Sequence, residues 1–222
     1  MQVPANFDSV GLDGIMSDWL LALREFSVEA IVVLGPDPFA GMRRRLVLAL
    51  HPPRLLEAAR ALAEGQDSGL PQSDAQAPLV TWQLIAQSAF DNPSRWRRLW
   101  LGYGYQSVMR VEFPLVSDRV FEVHLFSPRQ WHDRNEAAAL AWSAFNIWPL
   151  LNRAIAEARN PLSPRELECL KLAFQGMTAR ASGEVLLCSE RTINFHLANA
   201  MSKLKVDSKL AAVQRACWFG LI

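Results

Sequence analysis

Residues 189–204 read "SERTINFHLANAMSKL", and the spacing of their apolar side chains decides how the end of the chain folds. Ile193, Leu197, Ala200 and Leu204 recur at i, i+4, i+7 and i+11, which is a single stripe along a helix. Ser189 precedes the run, where a hydroxyl can accept from an otherwise unbonded backbone N–H and start the helix. The opposite side carries Arg191, Asn194, Phe195, Ala198, Asn199 and Lys203. An ordinary solvated face does not favour a surface phenylalanine followed one turn later by a small alanine. A helix lying in a DNA major groove does use such a face: amide and guanidinium groups read base edges, and basic side chains meet phosphates. The N–H groups and positive dipole at the start of the helix add a site for a phosphate.

The flanking sequence supplies further helices with clear punctuation. Ser163, Pro164 and Glu166 form a capping box with proline at the first helical position. The helix they open spans Pro164 to Gln175 and stops at Gly176, with Leu167, Leu170 and Phe174 expected on its buried stripe. Thr178 caps a second helix carrying Val185 and Leu186, and Ser208 caps a fourth that runs to Gly220. Two short helices joined by a tight turn inside a small bundle describe a helix-turn-helix. Charge agrees with that reading. Residues 161–222 hold eight Lys and Arg against five Asp and Glu, whereas residues 1–160 hold 15 Arg, no lysine and 17 acids. A basic unit appended to a mildly acidic one suits contact with a polyanion.

Asn160-Pro161 breaks the backbone before the capping box, so a domain boundary is placed at residue 160. Upstream the pattern mixes helix and strand. Apolar residues at 7, 10, 15, 20, 23 and 26 suggest a first helix. "AIVVLG" (30–35) is a buried-strand candidate closed by the turn "GPDP", with "RRRLVLALH" (43–51) as its partner. "PPRLLEAARALAEG" (52–65) opens on proline and closes on glycine as a helix does, and 66–78 is a turn-rich loop. "NPSRWRRLWLGYG" (92–104) contains a short helix. "VMRVEFPL" and "RVFEVHLF" pair across Ser117-Asp118. A long helix over 132–158 contains Pro149, which kinks it or divides it in two. The fold class expected is an α/β sensor domain, an α-β-α sandwich on an antiparallel sheet over 1–160, followed by an all-α four-helix helix-turn-helix domain over 161–222.

Residues 162–222 resemble the LuxR-type DNA-binding domain through "LSPRELECLKL", "QGMTA", "CSERTINFHLANAMSKLKVDSKLAAVQRA" and "GLI". The resemblance implies that the 190–204 helix is the recognition helix. It implies base-edge contacts from Arg191, Asn194, Phe195 or Ala198, backbone contacts from Thr192, Asn199, Lys203 and Lys205, and a dimer contact through the fourth helix. In the scaffold helix this chain has Ser182-Gly183 where the family usually carries a bulky aliphatic residue and alanine. A mid-helix glycine and a lost aliphatic contact, each worth on the order of 1 kcal/mol, are expected to weaken that helix.

The first domain resembles the autoinducer-binding domain of quorum-sensing LuxR regulators through "PLVTW" (78–82), "WLGYGYQSV" (100–108), "FPL" (113–115) and the long helix. That family typically binds acyl-homoserine lactones through a Trp-x-x-x-Tyr pair and an Asp-Pro, and neither occurs in the matching stretch here. The resemblance thus implies a regulator that is ligand-independent or takes a different small molecule, with Trp82, Trp100, Tyr103 and Tyr105 as candidate pocket residues. An alternative is an interaction protein that heterodimerises with a quorum-sensing regulator and inhibits it. The expected partners are double-stranded DNA bearing an inverted repeat and a second copy of the chain.

Other functions lack their residues. No apolar run reaches the roughly 18–20 residues that a membrane span needs, and the N-terminus has no signal-peptide pattern. Cys169, Cys188 and Cys217 lack C-x-x-C spacing and read as buried apolar residues of a cytoplasmic protein. The histidines lack metal-binding or catalytic spacing, and no nucleotide loop, nucleophile elbow or zinc pattern is present. A non-enzymatic protein without metal or cofactor is expected.

Overall fold

The computed structural model describes residues 11–36, 45–65, 79–86, 94–115, 119–218 and 220–222. The expectations at Phe7 and Val10, the second half of the "GPDP" turn, the loop 66–78 and the turn at Ser117-Asp118 lie outside the described residues. The chain divides into two compact units, Met1–Leu151 and Asn152–Ile222.

In the first unit, α1 (Leu12–Ala22) precedes β1 (Ala30–Pro36) and β2 (Arg45–His51). A 3-10 turn at Pro53–Leu55 leads into α2 (Leu56–Glu64), followed by β3 (Val80–Leu84) and α3 (Arg95–Gly102). Then come β4 (Ser107–Leu115), β5 (Arg119–Ser127) and α4 (Arg134–Arg159). The strands form one five-stranded sheet in the order β2-β1-β5-β4-β3, antiparallel throughout. Residue 160, where Pro161 breaks the chain, follows the end of α4; the division between the compact units falls earlier, inside that helix.

Strand periodicity sorts the core into two layers. On one face Ala30, Val32, Leu34, Val108 and Phe126 pack with Leu55, Ala58, Leu62, Trp96 and Trp100 of the α2–α3 side. Trp100 stacks on Phe126 at a ring-centroid distance of 3.4 Å, and its indole N–H donates to the Ala58 carbonyl at 3.2 Å. On the other face Phe113 stacks on Trp148 of α4 at 4.2 Å, and the Trp19 N–H of α1 donates to Ser143 Oγ of α4 at 2.9 Å. Burial on both sides explains why "AIVVLG" is continuously apolar rather than alternating. The expected α-β-α sandwich is the observed architecture.

Two features depart from the sequence reading. Val80–Leu84 is a fifth, edge strand that short length and incomplete burial concealed. Pro149 does not divide the long helix: α4 runs through it, with the proline on an exposed position and the flanking Ile147 and Leu151 buried.

The second unit holds α5 (Pro164–Phe174), α6 (Ala179–Leu186), α7 (Glu190–Leu204) and α8 (Lys209–Trp218). Its core joins Leu162, Cys169 and Leu170 to Ile193, Leu197, Ala200 and Leu204, closed by Ala212 and Ala216 of α8. Phe174 is a correction: it is 61% exposed, because the inward side of α5 runs through Glu166, Cys169 and Leu170, with Ala173 packed against them. Val185 is likewise exposed, and α6 turns Ser182 and Gly183 inward instead.

Candidate nucleic-acid interface

Helix α7 starts as its sequence dictates. Ser189 adopts an extended backbone, and its Oγ accepts from the Thr192 N–H at 3.1 Å. The Thr192 and Ser189 hydroxyls lie 2.8 Å apart, so the Thr192 side chain completes the cap. Ile193, Leu197, Ala200 and Leu204 are all at most 7% exposed, so the apolar stripe faces inward in full. The opposite side is open to solvent: Arg191, Asn194, Phe195, Ala198 and Lys203 are exposed, and Asn199 is half-buried. Phe195 is 61% exposed and touches only the His196 ring edge-on among the ring contacts of the described residues. Burying such a ring against a partner recovers on the order of 1.5–3 kcal/mol that exposure to water forfeits. Lys205 closes the helix in the left-handed conformation at φ 53° and is exposed.

Lys203 has a second task that spacing along one helix does not show. Its Nζ donates to Glu166 Oε2 at 2.7 Å, and the same oxygen accepts from the Ser163 N–H at 2.7 Å. Glu166 is therefore both the third residue of the α5 capping box and a buried anchor for α7. Burial acts to raise its carboxyl, but the Lys203 ammonium and the Ser163 N–H outweigh that and hold it below the usual carboxylate range. At the far end of α7, Arg215 of α8 donates to the Leu204 carbonyl at 2.7 Å, satisfying a carbonyl that the helix leaves unbonded.

The scaffold helix is not simply weakened by Ser182-Gly183. The turn that leads to α7 passes directly over Gly183, where an added Cβ would lie 2.7 Å from the Cys188 carbonyl oxygen. The Cys188 N–H donates to the Gly183 carbonyl at 2.9 Å, tying turn and helix together. Glycine is the residue that this close approach admits.

The four aromatic residues expected in a pocket separate. Register pairs Trp82 with Met109, placing it on the α1–α4 face of the sheet, whereas Trp100 packs on Phe126 on the α2–α3 face. Trp82 and Tyr103 are exposed, and Tyr105 lies edge-on to Trp100 in the core. Trp82 and Trp100 thus take opposite faces of the sheet, because Met109 beside Trp82 and Val108 of the Trp100 layer are successive residues of β4 and point to opposite sides. The described residues contain no group of three or more His, Cys, Asp or Glu placed to hold a metal ion, and no helix among them is long and apolar enough to cross a membrane.

A four-helix unit with a capped, half-apolar third helix over a close-packed turn defines a helix-turn-helix domain joined to an α/β domain. Residues 160–216 match the family of bacterial regulatory proteins described as the luxR family, and this segment is a helix-turn-helix domain of that family. The chain is similar to the HTH-type quorum sensing-dependent transcriptional regulator RpaR of Rhodopseudomonas palustris, 44% identical over 72 residues, covering 32% of this chain and 30% of that protein. It is also similar to the transcriptional activator LuxR of Aliivibrio fischeri, 38% identical over 72 residues, covering 32% of this chain and 29% of that protein. The matched segments thus span less than a third of the length of these relatives. Across the whole chain the fold resembles that of SdiA in complex with octanoyl-rac-glycerol, with a TM-score of 0.52, 17% identity, and coverage of 100% of this chain and 98% of that one.

Proposed function

We propose that this protein is a DNA-binding transcription regulator related to quorum-sensing regulators, acting in the cytoplasm as a homodimer on an inverted-repeat operator. The observation that supports this most is the division of α7 into a sealed apolar stripe and an open face carrying Arg191, Asn194, Phe195 and Ala198. Asn194 and Arg191 offer donors to base edges, Phe195 and Ala198 offer apolar contact to thymine methyls, and Thr192, Asn199, Lys203 and Lys205 border the phosphates. The first unit is a sensor or dimerisation domain whose stretch after the second strand lacks the lactone-binding Trp-x-x-x-Tyr and Asp-Pro. The regulator is ligand-independent or takes a different small molecule. No catalytic role is assigned.

The test is a gel shift with purified protein on operator fragments, with and without cell extract. Asn194→Ala is expected to cost about 1–3 kcal/mol of discrimination between operator and scrambled DNA. Unchanged operator preference removes Asn194 from the reading set. Binding that appears only with extract would favour a receptor switched by another small molecule, and no binding in either case would favour a heterodimeric inhibitor of another regulator.

A further inference from the structure

Arg45 enters the sheet from β2 and makes its bonds two strands away. β1 lies between β2 and β5, and Arg45 is in register with Pro36 at the end of β1. The guanidinium crosses β1 and donates from Nη1 to both carboxylate oxygens of Glu122 on β5, at 2.9 and 3.0 Å. From Nη2 it donates to the Leu62 carbonyl at 3.0 Å and to the Gly65 carbonyl. Both carbonyls lie at the end of α2, where the helix has no further N–H groups to offer them. One side chain thus caps α2 and ties it to the central strand of the sheet. Glu122 is 3% exposed, so this tie is made inside the unit and not across its surface.

The rest of the layer between α2, α3 and the sheet is filled by the chain itself. Leu55, Ala58, Ala59 and Trp100 are fully buried there, with the Trp100 ring flat on Phe126. The space left between Arg45, Gln83, Trp96, Val108 and His124 is about 10 Å³, room for one water molecule at most. An external effector that closes a helical cover over a sheet acts by mass action, stabilising the closed state only while its concentration suffices. A guanidinium tethered to β2 makes the same kind of bridge at a fixed and high effective concentration, so closure does not depend on the surroundings.

We propose that Arg45 acts as a built-in ligand: it holds α2 to Glu122 in place of an external effector, and the first unit closes without any small molecule. This rests on reading the first unit as the sensor or dimerisation part of a regulator, and it selects the ligand-independent mode of that part.

The experiment uses the full-length protein, unfolded in urea and refolded by dialysis into a defined buffer. Refolded wild type is expected to regain its exchange protection in α2, and native mass spectrometry to give the mass of the polypeptide alone. Arg45→Ala is expected to exchange roughly tenfold faster in α2. Millimolar ethylguanidinium is expected to restore that protection saturably, and ethylammonium at the same ionic strength to leave it unrestored, because only the planar fork spans a carboxylate and two carbonyls. Where Arg45→Ala does not fold, Arg45→Lys decides: it keeps the charge without the fork and is expected to show faster exchange in α2. Refolding that requires cell extract, a small molecule bound in stoichiometric amount, unaltered exchange in the variant that folds, or equal rescue by ethylammonium would each overturn the proposal. A gel shift run alongside separates the two readings. Closure without extract but no operator binding rejects the regulator and leaves the Arg45 bridge, whereas operator binding by a chain that needs extract to refold rejects the bridge alone.

Discussion

Single positions in the second unit reverse what residue propensities suggest. Replacing a mid-helix glycine by alanine ordinarily stabilises a helix by about 1 kcal/mol. At Gly183 the new methyl would press on the Cys188 carbonyl oxygen at 2.7 Å, a backbone group that cannot rotate away. Gly183→Ala is therefore expected to destabilise the unit by about 1–3 kcal/mol, read as faster amide hydrogen exchange in peptides from α6 and α7. Slower exchange would show that the turn gives way and that propensity wins. Lys203 is a similar case. On the helix wheel it is one more surface cation, yet it donates to a carboxylate that is 5% exposed. Its loss leaves a buried charge unpaired, so Lys203→Ala is expected to cost about 1–3 kcal/mol of stability besides any weakening of DNA affinity.

Elements are joined by groups whose titration makes the links pH-dependent. Glu166, which ties α5 to α7, titrates below its unfolded value of about 4.5. Its contribution is present above that value and is lost as pH falls through the lower, folded one. Exchange protection of α5 and α7 should decline in acid, and Glu166→Gln should match wild type once the wild-type Glu166 carboxyl is protonated. In the sheet, burial pushes the Glu122 carboxyl up, but hydrogen bonds from His124 and Arg45 outweigh it and set it at about 2. His124 stays neutral in the folded state while the unfolded chain takes up a proton below about 6.5. Both groups favour the unfolded state as pH falls, His124 first and Glu122 below about 4.5. His124→Gln should flatten the stability slope of the first unit between pH 6.5 and about 5, read by tryptophan fluorescence during urea unfolding. An unchanged slope would mean that His124 is protonated in the fold.

At the scale of the whole molecule, the proposed homodimer would present two α7 helices to two half-sites about one DNA turn apart. Inserting about five base pairs between the half-sites moves the second to the opposite side of the duplex. Binding by the full chain should then fall to that of a single half-site, measured by titration in a gel shift. Equal affinity for both spacings would show that the two DNA-binding units act independently.

The helix-turn-helix was legible because its signals are local: Ser163, Thr178, Ser189 and Ser208 each cap the helix after them, and a 3.6-residue stripe marks the inner side of α7. The α-β-α sandwich was legible from the alternation of strand and helix patterns, with "AIVVLG" read as a buried strand. By itself the sequence determined where the helices start, which side of α7 is open, and that the second unit is basic. Tertiary structure alone decided that Glu166 meets Lys203, that Gly183 lies under a carbonyl, that Trp82 and Trp100 take opposite faces, and that Arg45, Gln83 and His124 surround one cavity. Caps and periodicities act within a few residues, whereas register and packing set which distant side chains meet, and their partners lie 37 to 77 positions apart in the pairs Glu166–Lys203 and Arg45–Glu122.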